Sequence, residues 1–167
     1  MRASGRPNIL ISGTPGTGKT SLAALVAERT GLRNVSVGDV IREHQCYESR
    51  DEEMDTFVLD DDRLIDVLEE APFDINAGGN VVDYHSADVF PERWFDLVLV
   101  LTCSTEVLFD RLTARGYSEV KRGENMECEI MQVVLEEAKG GYAEEIVHAL
   151  QSNTVADMDS NAQRCVD

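Results

Sequence analysis

Apolar residues along this chain fall into two alternating patterns, short unbroken runs and helical stripes. Residues 8–12 (Asn-Ile-Leu-Ile-Ser) form an aliphatic run suited to a buried strand. From Gly18 to Thr30 the residues Leu22, Leu25 and Val26 recur at helical spacing, and Gly31 is placed to end that helix. Residues 34–37 read as a second strand, followed by a short helix opening at Asp39, a good capping residue. Asp60 is placed to cap a helix carrying Leu64, Ile65 and Leu68, with Pro72 as its stop. The Gly78-Gly79 pair turns into a run over 80–83, and 97–101 (Leu-Val-Leu-Val-Leu) is the plainest strand of all. Helices are expected at about 104–115 and 124–138, then a last strand over 146–150 and a weak helix or tail.

Strands alternating with helices predict an α/β domain whose parallel sheet is covered on both faces. The 167 residues fit one such domain, and no internal repeat or low-complexity linker divides them. An apolar share of 43% supplies a core. No stretch approaches the roughly 18 consecutive apolar residues of a membrane helix, and MRASGRPNIL lacks the apolar run of a secretory signal. Cys46, Cys103, Cys128 and Cys165 are widely spaced with no C-x-x-C pair. They read as reduced, half-buried thiols rather than a zinc site or a redox dithiol.

Charge changes the picture more. Fifteen Lys and Arg against 32 Asp and Glu leave a formal charge of −17. That balance argues against affinity for nucleic-acid backbones and against direct sequence-specific readout. It permits a basic protein partner. The acidic run over 51–55 reads as a soluble loop.

One motif overrides the net charge. Residues 13–20 (Gly-Thr-Pro-Gly-Thr-Gly-Lys-Thr) match G-x-x-x-x-G-K-[ST] at every fixed position, with a strand before and an amphipathic helix after. Gly13, Gly16 and Gly18 let the backbone bend so that successive N–H groups face a phosphate, and the helix directs its positive end there. Lys19 is expected to reach the β- and γ-phosphates and the Thr20 hydroxyl to ligate Mg²⁺.

Such a loop needs a carboxylate at a neighbouring strand end to hold the magnesium shell. Asp83, closing the run over 80–83, fills that place. In an extended chain His85 projects to the same side, where an imidazole orients water or shuttles a proton. Four of the fifteen cations, Arg111, Arg115, Lys121 and Arg122, lie close together. Arg111 and Arg115 share a helix face at i, i+4, and the pattern then breaks into a short cover over a nucleotide. Arg42 sits on the short helix after the second strand, within reach of a second phosphate. Solvated surface cation is the default for all of these but Arg42 and Arg115. No N-K-x-D guanine motif appears, which disfavours a GTPase.

Together, residues 13–20, 37–39 (Val-Gly-Asp), 59–63, 82–85 (Val-Asp-Tyr-His), 90–95 (Phe-Pro-Glu-Arg-Trp-Phe), 115–117, 128–130 and 144–148 resemble the adenylate kinase isoenzyme 6 family, the nuclear coilin-interacting ATPases. The resemblance runs in order from about residue 7 to 155. It implies a single adenylate kinase-like P-loop domain over 1–167, with a monophosphate-binding insert at about 36–59 and a short lid at about 114–124. It implies Mg·ATP-dependent phosphoryl transfer to AMP and related monophosphates, with ATPase activity. It also implies the alternative of an ATPase assembly factor in small-ribosomal-subunit maturation, in nucleus and cytoplasm, with a basic ribosomal protein as partner. Carried over by motif, Gly13, Gly16, Thr17, Gly18, Lys19, Thr20 and Ser21 bind ATP, Arg42 the monophosphate and Arg115 the transferring phosphate. Asp83 and His85 take the Walker B-like positions. The chain departs from the family pattern over 71–76 and in ending at 163–167, where members usually continue with a Trp-containing amphipathic helix.

Overall fold

Five strands pair side by side in the computed structural model, which describes residues 4–53 and 56–166. Strands are numbered in chain order. β1 (Asn8–Gly13), β2 (Arg33–Ser36), β5 (Asn80–Asp83), β6 (Leu97–Thr102) and β7 (Val147–Gln151) stand in the order β2-β5-β1-β6-β7. Every pairing is parallel. All six positions of β1 are buried, as a central parallel strand requires. Ile9 and Ile11 enter one core with Leu22, Val26, Leu99 and Ala162. Leu10, between them, enters the other, with Val82, Val98, Leu64 and Trp94. The period-2 alternation of the strand thus divides the molecule into two apolar layers.

α1 (Lys19–Thr30) and α7 (Val155–Val166) cover the first face, while α2 (Val37–His44), α3 (Asp61–Glu69) and α6 (Val133–Gly141) supply the second. α4 (Thr105–Ala114) and α5 (Glu119–Ile130) follow β6. Several stops and starts match the sequence signals. Gly31 closes α1 at φ 77°, and the Asp60 carboxylate accepts from the Arg63 N–H at 3.2 Å to cap α3. Among the described residues no helix is long and apolar enough to cross a membrane.

Three expectations need correction. α2 starts at Val37, with Ser36 at the cap position and Asp39 inside the first turn. Val37 is fully buried, so packing draws it into the helix. The acidic run is not simply a loop: β3 (Tyr47–Asp51) pairs antiparallel with β4 (Thr56–Leu59), and Asp51 ends the first strand. Met54 and Asp55 lie outside the described residues. The helix placed over 124–138 is two helices, α5 and α6, parted at Gln132, which takes φ 54°. α5 also begins earlier, because the Ser118 hydroxyl accepts from Lys121 N–H at 3.1 Å. The cover over 114–124 is therefore a short turn followed by helix. The chain end, read as a weak helix or a tail, is the helix. α7 buries Ala162 and Asn161, and Asn161 Nδ2 donates to the Gln151 carbonyl at 2.8 Å.

Candidate functional site

β1 lies between β5 and β6, so the strand order reverses at its carboxyl end and opens a crevice there. Residues 14–18 cross that crevice into α1. Gly16 takes φ 96°, and a Cβ on it would stand 2.9 Å from both Leu108 and Leu112 of α4. Only glycine fits a turn pressed this closely against a helix. Thr14 organises the loop: its carbonyl accepts from Lys19 Nζ at 3.3 Å, from Thr17 Oγ1 at 2.8 Å and from Thr17 N–H at 3.2 Å. The Thr17 hydroxyl is thus turned into the loop and shapes it.

Arg111 braces the loop from outside. Its guanidinium donates to the carbonyls of Gly16 (3.3 Å), Ser152 (2.8 Å) and Asn153 (3.3 Å). Ser152 Oγ donates to the Thr17 carbonyl at 2.5 Å. Arg111 and Arg115 share a helix face in sequence, yet these bonds commit Arg111 to holding the phosphate loop on the β7–α7 turn.

Two cavities flank the loop. The larger, about 790 Å³, is lined by Lys19, Thr20 and Asp83. Asp39, Arg42, Arg50 and Leu59 also line it, as do Tyr84 and His85. Arg115, Tyr117, Lys121 and Asn125 close it from the lid side. The smaller, about 330 Å³, lies among Gly16, Gly18, Ser21, Arg111, Ser152, Thr154, Val155 and Met158. Arg115 lines both cavities. The structure therefore gathers Lys19, Thr20, Asp83, His85, Arg42 and Arg115 around one space, with Ser21, Gly16 and Gly18 facing the next. Gly13 lies behind the loop: a Cβ there would stand 2.9 Å from the Leu101 carbonyl.

Charge in the larger cavity is strained by burial. Asp83 is 5% exposed, and burial pushes its carboxyl up to about 6, with Lys19 opposing and Asp39 adding to the rise. Burial also lowers Lys19 to about 8, although the carboxylates of Asp83 and Glu129 pull it back up. His85 lines the cavity and stays exposed to solvent, yet protein crowds its ring. That crowding, then Lys19 and Lys121, lower it to about 4, so the imidazole is neutral at physiological pH. Its ring lies 4.4 Å from that of Tyr84. Arg42 pairs with Asp39 one turn earlier on α2.

Asp83 Oδ2 is buried without a hydrogen-bond partner, a cost that a nearby cation would remove. Among the described residues no cluster of three His, Cys, Asp or Glu side chains forms a self-sufficient metal cage. The Asp83 oxygen and the Thr20 hydroxyl instead match a hard cation that takes its remaining ligands from phosphate and water, which suits Mg²⁺.

Reasoning from sequence missed part of this lining. Arg50 rides on a hairpin whose first strand, Tyr-Glu-Ser-Arg-Asp, is exposed at four of its five positions and carries no alternating apolar signal. Lys121 reads by default as a solvated cation, and Asn125 and Glu129 carry no reading as site residues. The spacing 121, 125, 129 places these three on one face of α5, and that stripe was the available signal.

A parallel sheet with a glycine-rich phosphate loop at its switch point, and a buried carboxylate on the next strand, defines a nucleotide-binding P-loop protein of kinase type. A family profile described as an AAA domain matches residues 9–132. A Caenorhabditis elegans protein named adenylate kinase isoenzyme 6 homolog is 51% identical over 95% of this chain and 87% of its own length. The Saccharomyces cerevisiae protein named adenylate kinase isoenzyme 6 homolog FAP7 is 41% identical over 96% of this chain and 80% of its own. The chain belongs to the adenylate kinase isoenzyme 6 family. At the level of fold alone it also resembles a shikimate kinase from Bacteroides thetaiotaomicron, at TM-score 0.59 and 17% identity, over 95% of both chains.

Proposed function

We propose that this protein is a nucleoside monophosphate kinase of the adenylate kinase type, transferring a phosphoryl group from Mg·ATP to AMP and related monophosphates, with ATPase activity. One observation carries the reading: Lys19 and Thr20 of the phosphate loop line the same cavity, of about 790 Å³, as Arg42 and Arg50. A donor phosphate on the loop and an acceptor phosphate at the arginines would meet in that space. Phosphoryl transfer asks for positioning and charge neutralisation rather than covalent help. Lys19 holds donor phosphates, Arg115 spans both cavities where charge develops, and Arg42 holds the acceptor. Asp83 and Thr20 hold Mg²⁺, which neutralises phosphate charge when bound. Neutral His85 orients the attacking group or water.

Lys19→Ala is expected to lower phosphorylation of AMP by a factor on the order of 10²–10³ in a protein that still folds by circular dichroism. Equal turnover by variant and wild type would refute the assignment.

A second reading, an ATPase assembly factor acting in nucleus and cytoplasm on small-ribosomal-subunit maturation, is favoured by the surface. The charge of −17 is joined by exposed Ile130 and Met131, 63% and 66% accessible, at the α5–α6 elbow. An acidic surface with an apolar spot suits a basic, amphipathic ribosomal protein. Capture of such a partner is expected to weaken with salt and to change between ATP and ADP. Salt-independent, nucleotide-independent capture would overturn this reading.

A further inference from the structure

Glu129 is, with Asp83, one of two buried carboxylates among the described residues, at 6% exposure. Its Oε1 accepts from the Thr14 hydroxyl at 2.8 Å and its Oε2 from the Cys103 N–H at 2.9 Å. Both oxygens are thereby used, one on the phosphate loop and one at the end of β6. Thr14 is the same residue whose carbonyl gathers Lys19 and Thr17. Glu129 therefore fixes the peptide that fixes the lysine.

The carboxylate stands on α5, one residue before that helix ends. Eight residues earlier, about 12 Å up the same face, Lys121 enters the larger cavity, and Asn125 lies between them. The Lys121 ammonium sits 4.2 Å from the centre of the Tyr117 ring, which limits where it can swing. α5 is thus a rigid arm with Glu129 at its root and Lys121 at its tip. A buried carboxylate is costly to keep unless it is hydrogen-bonded. At this root it is held by a phosphate loop and a strand end that a packing role alone would not require.

We propose that Glu129 is a positioning residue that locks α5 to the phosphate loop, so that nucleotide on the loop and Lys121 over the transferring group are held in one register. The proposal rests on the kinase reading above and extends it to a residue outside the phosphate-loop motif.

The chemistry offers a conservative variant. Glutamine accepts from Cys103 N–H through its oxygen and donates through its amide to the Thr14 oxygen, so it rebuilds both contacts without charge. Glu129→Ala is expected to lower kcat about 30-fold and to weaken ATP binding about tenfold, while Glu129→Gln stays within about threefold of wild type. Lys121→Met is combined with Glu129→Ala to separate positioning from general packing. If Glu129 acts through the arm, the double variant is no slower than the slower single variant. If Glu129 merely supports the fold, the two losses multiply.

Losses that multiply, or a folded Glu129→Ala variant within about threefold of wild type, overturn the proposal. Should Glu129→Ala fail to fold, Thr14→Val breaks the same bond from the loop side. A Thr14→Val loss of at least about tenfold that does not multiply with Lys121→Met supports it, and activity within about threefold overturns it. If wild type transfers nothing to AMP, the kinase reading fails on its own. Glu129 is then judged by binding of a fluorescent ATP analogue to Glu129→Ala or Thr14→Val: about tenfold weaker binding supports the lock to the loop, and unchanged binding removes it.

Discussion

Three ionisable groups around the phosphate loop sit away from their ordinary pKa values, and each displacement has a functional sign. Asp83, near 6, must lose its proton before it can hold a magnesium shell. Lys19, near 8, must keep its proton to neutralise phosphate. Both conditions hold only between those values in the free enzyme, so kcat/KM is expected to be bell-shaped with limbs near 6 and 8. The acid limb belongs to Asp83, because His85 titrates near 4 and is already neutral above it. His85→Gln should therefore lower the plateau and leave the acid limb in place. An acid limb near 4 in wild type, or one lost in that variant, would hand the titration to the histidine. The residues that carry these shifts were legible in order: the glycines, Lys19, Thr20 and Asp83 announce themselves by spacing. Glu129 did not announce a role at the site, since a glutamate in the last turn of a polar helix looks solvated until the fold brings Thr14 against it.

At the scale of elements, the parallel strands were read closely and the polar ones were not. β1 and β6 are aliphatic because both faces are covered, and such runs leave a strong mark in sequence. β3 touches the core only through Tyr47, so nothing in its composition separates it from a loop. The break between α5 and α6 was hidden as well, because Gln132 is not a residue that advertises a left-handed turn. The cost of missing the hairpin was missing Arg50. Because it lines the same cavity as Arg42, Arg50→Ala is expected to raise KM for AMP about tenfold, the loss of one charge-assisted contact, with KM for ATP unchanged. Michaelis constants measured with each nucleotide varied in turn check this; an equal rise for both would place Arg50 on the donor side.

For the whole molecule, the distribution of charge matters more than its sum. A protein at −17 binds polyphosphate only if its cations are gathered, and Lys19, Arg42, Arg50, Arg115 and Lys121 do line one cavity. Of the acid among the described residues, only Asp39 and Asp83 line that cavity, and the negative sum argues against affinity for nucleic-acid backbones. The chain's last helix belongs to this core arrangement: α7 buries Ala162 against the same layer as Leu22 and Val26 of α1. Ser152 and Asn153, in the turn that leads into α7, brace the phosphate loop through Arg111.

The central claim is that donor and acceptor phosphates share the one cavity between Lys19 and Arg42. The direct measurement is ATP consumption and ADP formation by the purified protein, with and without AMP. If the claim holds, AMP accelerates ATP consumption and raises the ADP formed per ATP from one towards two. ATP consumption that is indifferent to AMP, yielding one ADP and inorganic phosphate for each ATP, would contradict it.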